Sequence, residues 1–166
     1  MQHTVMPVEQ GMITLTELGL REDYRAQTSE GKAALVFICE NYGILMNALC
    51  QCHFVNNVTG PEDLLVALNA TTGWTFPIDD LMACGERIWL LKRGLNNLMG
   101  INDADDVLPK RILTPVTDGA AAGSVPDMER MKKEYKAVRG LDEKGFPTKN
   151  KLEEAGLENL IDKLYP

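Results

Sequence analysis

The chain has 166 residues, 45% of them apolar, and carries 17 Lys and Arg against 24 Asp and Glu for a net charge of −7. That size suits one domain, or two small layers sharing a core, and the acidic balance excludes nucleic-acid phosphate and anionic membrane as general partners. No segment reaches the ~18 unbroken apolar residues of a membrane helix.

The first residues, "MQHTVMPVEQG", show neither the basic nor the apolar region of a signal peptide, so a cytoplasmic setting is expected. In that reducing compartment Cys39, Cys50, Cys52 and Cys84 are expected as thiols or metal ligands rather than disulfides. Next, "TSEGKAALVFICENYGILMNALCQC" places Ala34, Leu35, Ile38, Tyr42, Leu45, Met46 and Leu49 at spacings of three and four. This predicts one long, mostly buried helix with Thr28 or Ser29 as its N-cap. "TGPEDLLVALNATTG" predicts a short helix, with Pro61 in its first turn, Glu62 and Asp63 behind it, and Gly73 beyond the end. "FPIDDLMACGERIWLLKRGLNNLMG" repeats the grammar from Pro77 to Gly100. Its apolar residues Ile78, Leu81, Met82, Ile88, Trp89, Leu91, Leu95 and Leu98 form a stripe broad enough to pack on two neighbours.

From Gly100 to Pro126 the signal changes to loop, with three prolines, two glycines and no sustained period after Gly100. Loops of this length in compact domains are commonly functional or disordered. "PDMERMKKEYKAVRG" predicts a charged surface helix capped by Asp127 and stopped by Gly140. "FPTKNKLEEAGLENLIDKL" adds one or two short helices, begun near Thr148 and broken at Gly156. The expected fold class is all-α, with residues 1–17 an unassigned lead and 18–166 a single helical domain carrying a long loop at about 101–126.

The order of these pieces is distinctive. "TGW", "GERIWLLKR", "LPKR" and "RGLDEKGFPTKNKLEEAGL", with "SEGKAALV" upstream, fall in the order and separations of the C-terminal helical part of the tungsten-dependent aldehyde ferredoxin oxidoreductase family, which residues 18–160 resemble. The resemblance implies a compact multi-helix domain belonging to a large enzyme that oxidises aldehydes to carboxylic acids at a tungsten bis-pterin. Electrons leave that enzyme through a [4Fe–4S] cluster to ferredoxin. In the family an N-terminal β-rich domain cradles the pterins, and three of the four cluster cysteines precede the segment present here. The partners implied are therefore the missing N-terminal domain or subunit, or self-association, and ferredoxin.

At the end of the matching helix the family carries Asp-x-x-Gly-Leu-Cys, the Asp touching a pterin and the Cys ligating the cluster. The same places here read "NALCQC", so Cys52 falls on the metal-ligand position and Asn47 on the pterin-contact position. Asn47 keeps a carbonyl and gains an NH2 donor while losing the charge. Cys50 replaces the glycine; if that position needs a positive φ, a side chain there costs about 1 kcal/mol. A histidine that the family has near its active site has no counterpart around Met6 and Pro7, and neither His3 nor His53 replaces it. The chain by itself is expected to bind no cofactor and to be inactive, and no catalytic residue is assigned.

Plainer readings stand beside these. Cys52 is either a cluster ligand or a small buried thiol at a helix end. Cys50, Cys52 and His53 lack the C-x2-4-C spacing of a zinc site. Cys84, Ile88, Trp89 and Leu91 read as core, and Trp74 as a packing anchor. Lys110 and Arg111 either orient anionic groups of a cofactor or neutralise Asp103, Asp105 and Asp106. The run "MERMKKEYK" reads as a solvated helix face. Two functions remain open: part of an aldehyde oxidoreductase, or a non-catalytic helical module derived from one and kept for binding or oligomerisation.

Overall fold

The computed structural model of the protein describes residues 18–19, 28–52, 54–55 and 58–166. The lead at 1–17, with Met6 and Pro7, and His53 lie outside the described residues. The fold is all-α. Among the described residues there are six α-helices: α1 (Lys32–Ala48), α2 (Pro61–Thr72), α3 (Ile78–Leu98), α4 (Met128–Arg139), α5 (Lys149–Glu154) and α6 (Glu158–Leu164). A short 3-10 turn at Asp103–Asp105 interrupts the connection from α3 to α4. An isolated antiparallel bridge joins Leu141 and Pro147. No helix among them is long and apolar enough to cross a membrane.

Helix ends follow local chemistry. Pro61 opens α2, where the Gly60 N–H donates to the Asp63 carboxylate at 2.9 Å, and Gly73 closes it with φ 74°. The Pro77 carbonyl accepts the Leu81 N–H at 3.3 Å to start α3. Asp127 caps α4 by accepting the Arg130 N–H at 3.1 Å, and Thr148 caps α5 by accepting the Lys151 N–H at 3.3 Å. Each such cap satisfies a donor that the helix itself cannot, worth about 1 kcal/mol. Ser29 does not cap α1 as expected from the sequence; its Oγ accepts the Asp127 N–H at 3.0 Å instead.

The chain divides into two compact units, residues 1–24 with 35–91 and residues 25–34 with 92–166. In the first, Leu35, Cys39, Tyr42 and Met46 recur every three or four residues along α1 and bury one face together with Leu64 of α2. Ile38, Met82 and Leu18 close the edges of that cluster. Gly85 on α3 lets that helix approach the backbone of Asn41, where a Cβ would collide with the Asn41 carbonyl. The buried side of α3 in this unit presents Leu81, Trp89 and Leu90.

The second unit is held by polar chemistry as much as by its leucines. The Asp142 carboxylate accepts the N–H groups of Lys144 and Phe146, each at 2.9 Å, and so folds the "DEKGF" turn. Arg93 then donates through Nε to the Gly145 carbonyl at 2.8 Å and grips the Asp106 carboxylate at 3.2 and 2.8 Å. Leu152, Leu157, Leu160 and Leu164 of the α5–α6 hairpin are buried, and the Tyr165 hydroxyl donates to the Pro147 carbonyl at 2.8 Å.

Several core expectations are corrected. Cys84 and Leu91 are exposed, because the inner side of α3 is already filled by Leu81, Gly85, Trp89 and Leu90 and these residues lie on the other side. Trp74 is 54% exposed and stacks edge-on to Phe76 at 5.1 Å, while Asn69 holds the loop by bonding both the N–H and carbonyl of Phe76. The charged run of α4 is not uniformly solvated: Lys132 and Lys136 are half-buried, and Arg139 just beyond the run is fully buried, with its Nε on the Tyr135 hydroxyl at 3.2 Å.

Candidate functional site at the end of helix α1

The Leu49 N–H donates to Leu45 at 2.9 Å, the Cys50 N–H to Asn47 at 3.2 Å and the Gln51 N–H to Met46 at 2.9 Å. The last two bonds, spanning three and five residues, form the Schellman closure, which needs a residue in the left-handed conformation at its bend. Cys50 is that residue, with φ 55°, and it is the one non-glycine with positive φ among the described residues. A side chain there costs roughly 1–2 kcal/mol relative to glycine. The concern raised by the sequence is thus met in the backbone: glycine is the residue this bend favours.

Asn47, Cys50 and Cys52 are brought together at this one helix end, and all three are exposed. Cys52 is therefore not the buried thiol that the plainer reading expected. Its carbonyl accepts the Val55 N–H at 3.0 Å, which ties the following turn to it. The contrast within α1 is sharp, since Cys39 three turns earlier is 1% exposed and burial, then the neighbouring Glu40, pushes its thiol up to about 12. Cys39 is packing, and Cys52 is presented to whatever lies beyond the helix.

A [4Fe–4S] cluster is held by four thiolates. Among the described residues no group of three or more Cys, His, Asp or Glu is arranged to hold a metal, and the His53 of the zinc alternative lies outside them. What stands at this helix terminus is two exposed thiols, Cys50 and Cys52, with an amide at Asn47 about a turn back. Among the described residues these fall short of the four thiolates a cluster takes.

Lys110 and Arg111 lie in the second unit, on an exposed turn where the Thr114 hydroxyl donates to the Lys110 carbonyl at 2.9 Å. Their expected neutralising role fails for two of the three carboxylates. Asp103 is paired with Lys132 at 2.9 Å and Lys136 at 3.6 Å, and Asp106 with Arg93 at 2.8 Å. The hydrogen bond from Lys132, helped by the charges of both lysines, holds the Asp103 carboxyl below its ordinary range. Lys136 is in turn held above its usual range, first by its hydrogen bond to Glu143 at 3.1 Å.

Beside this network an open cavity of about 530 Å³ is lined by Gly100, Asn102, Asp103, Ala104, Glu143, Lys144 and Phe146. Asp103 and Glu143 already have lysine partners, and no cysteine, serine or histidine enters the lining. Sequence reading missed Arg93, Asp103, Lys132 and Lys136 as a set. Apart from Glu143, seven residues after Lys136, their partners lie 13 to 52 residues away, and no local spacing signals such pairs.

Comparison with known proteins supplies the remaining context. Residues 2–157 match the family model described as aldehyde ferredoxin oxidoreductase, domains 2 & 3, which extends the similarity upstream of the motifs. The chain is 35% identical over 135 residues to the tungsten-containing aldehyde ferredoxin oxidoreductase of Pyrococcus abyssi, covering 80% of this chain and 22% of that protein. The like-named proteins of Pyrococcus furiosus and Thermococcus kodakarensis are 34% and 33% identical over 131 and 135 residues, covering 78% and 80% of this chain and 22% of theirs. The chain thus spans about a fifth of the length of the curated relatives it matches.

Proposed function

The chain belongs to the aldehyde ferredoxin oxidoreductase family, and on that premise we propose that it is a C-terminal helical part of a tungsten-pterin, iron–sulfur aldehyde oxidoreductase of the cytoplasm. In this reading it works with the remainder of that enzyme, as a continuous polypeptide or as a separate subunit, and closes the cofactor pocket. Cys52 supplies one thiolate to a cluster whose other ligands come from outside the described residues, and Asn47 hydrogen-bonds a pterin edge. Lys110 and Arg111 orient anionic groups of the cofactor. The cluster, when bound, supplies one-electron transfer toward ferredoxin; the role of this chain is to ligate, orient and exclude water.

The observation that carries the proposal is Cys52 itself. A residue type that is ordinarily buried stands exposed at a helix terminus, in the place where the family motif has its ligand. The test is native mass spectrometry with iron and tungsten analysis on protein purified anaerobically from its source. The expected result is a larger assembly containing both metals, from which Cys52→Ser removes iron while the helical content is kept. A metal-free chain, alone or self-associated, overturns the proposal.

A second reading has its own support. Asn47 lacks the charge of the family's aspartate, and Cys50 sits in left-handed backbone where the family has glycine. A non-catalytic helical module released from cofactor binding would tolerate both changes. Iron that survives Cys52→Ser at full occupancy, or no iron at all, favours this reading.

A further inference from the structure

The turn that carries Lys110 and Arg111 belongs to a stretch, Pro109 to Gly123, in which every residue is exposed. Its second half, "VTDGAAAG", is closed on itself: the Val116 carbonyl accepts the Gly123 N–H at 3.0 Å, and the Gly119 carbonyl accepts the Ala122 N–H at 3.1 Å. Within it, Asp118–Gly119 is the only place in the sequence where Asp or Asn precedes glycine. Among the described residues the Gly119 N–H donates to no acceptor, and the Asp118 carboxylate has no ion-pair or hydrogen-bond partner. Gly119 stands at φ 79°, and a Cβ there would meet nothing within 4 Å, so the space beside the pair is open.

We propose that Asp118 is a site of spontaneous covalent rearrangement, in which its side chain and the Gly119 amide close to a cyclic imide that reopens as isoaspartate. The Gly119 nitrogen attacks Asp118 Cγ, a C–N bond forms, and the carboxyl hydroxyl leaves with the amide proton as water. Water then adds back to the ring. Addition at the Cγ carbonyl restores aspartate, whereas addition at the main-chain carbonyl leaves the chain running through Cβ and Cγ with a free α-carboxylate. The water lost is the water returned, and no oxidant takes part. The reaction needs an uncrowded nitrogen and a backbone able to turn toward the side chain; glycine supplies both, and an exposed loop of small residues restrains them least. Asp103 is the opposite case. It precedes Ala104, the next smallest neighbour, but its carboxylate is paired with Lys132 at 2.9 Å and the Ala104 N–H donates to Asn102 Oδ1 at 2.9 Å, so both reacting groups are held. Rearrangement at Asp118 lengthens the main chain inside the loop that Val116 and Gly123 close, and creates a carboxylate of the kind that S-adenosylmethionine-dependent isoaspartate methyltransferases accept. The step uses neither metal nor partner and stands apart from the proposed function.

The test ages the full folded chain at neutral pH and follows the tryptic peptide from Ile112 to Arg130 by mass spectrometry. In parallel, a protein isoaspartate methyltransferase with labelled S-adenosylmethionine counts the rearranged sites. The peptide is expected to appear first with one water lost at Asp118, then as an isomer of the parent mass that resists aspartate-directed cleavage before residue 118, and the methyl label should accumulate on it. Asp127 in the same peptide is the internal control, because its carboxylate accepts the Arg130 N–H at 3.1 Å. Asp118→Glu keeps the charge and Gly119 but requires a larger ring, and it should abolish the label; its circular dichroism should match the parent, since the side chain is exposed. A folded chain that keeps Asp118 intact while the urea-unfolded chain converts shows that the loop protects the pair, and overturns the proposal. Absence of conversion in both states overturns it equally, as does label that spreads over Asp103 and Asp127 or survives Asp118→Glu.

Discussion

Among the described residues four helix ends close with the same pair of backbone bonds, and they differ in the residue at the bend. In the second unit Gly100, Gly140 and Gly156 take the left-handed position, with φ of 91°, 64° and 62°. Each is followed by a residue whose N–H reaches back five places, as Ile101 does to Asn96, Leu141 to Lys136 and Leu157 to Leu152. In the first unit the same closure at the end of α1 is made by Cys50 at φ 55°. The geometry is dictated by the need to satisfy the last carbonyls of a helix. Glycine is the residue that meets it without strain, so a cysteine there marks the one closure where local stability was not optimised. Backbone strain of this kind concentrates at functional sites, and here it lies two residues from Cys52.

The largest effect expected from breaking the comparison comes from pH, because the first unit also buries a thiol. The Cys39 thiol titrates near 9.0 when unfolded and is pushed up to about 12 in the fold. A raised folded value means that its contribution is complete below pH 9 and is lost as pH rises from there toward 12. The loss amounts to about 1.4 kcal/mol per pH unit. Stability from denaturant unfolding should fall steeply over this range, and Cys39→Ala should flatten the profile whatever its effect at neutral pH.

Gly140→Ala attacks the closure of α4. It puts a Cβ at φ 64° and within 2.9 Å of the Lys151 side chain, and it should cost about 1–2 kcal/mol in denaturant unfolding. Cys50→Gly is the mirror experiment: relief of the left-handed strain should raise stability by about 1 kcal/mol. Cys50→Ala should leave stability close to that of the parent. A stabilising alanine would show that the thiol, and not the backbone, was the cost.

The smallest effect belongs to the ion pairs of the second unit. Asp103→Asn removes the partner of Lys132 and Lys136 and should cost about 0.5–1 kcal/mol, as expected for a partly solvated pair. Because the Asp103 carboxyl is held low, its contribution is present above the ordinary carboxylate value and fades as pH falls through the lowered one. The parent should therefore lose more stability than the variant in an acid titration followed by circular dichroism.

Much of the fold was legible before any coordinates. Pro61, Asp127, Gly140, Thr148 and Gly156 fall at the helix boundaries their chemistry predicts. The interval of three and four residues along α1 marks the residues that form the first core, with Cys39 among them. The candidate site was legible in part: resemblance to the family motif singled out Asn47, Cys50 and Cys52. The sequence could not say that Cys52 is exposed, nor that Cys84 and Leu91 face outward, because apolar character alone does not say which side of α3 is already filled.

What the sequence determined by itself is the set of helices, their class and their caps other than that of α1, since a cap or a left-handed stop acts within about five residues of itself. The tertiary structure decided the partners of charges far apart in the chain, such as Arg93 with Asp106 and Gly145, or Asp103 with Lys132 and Lys136. It also decided which of the two apolar faces of α3 is spent on the core. Both depend on how separate helices share space, and no local pattern encodes that: the same leucine is core on one side of a helix and an open surface on the other.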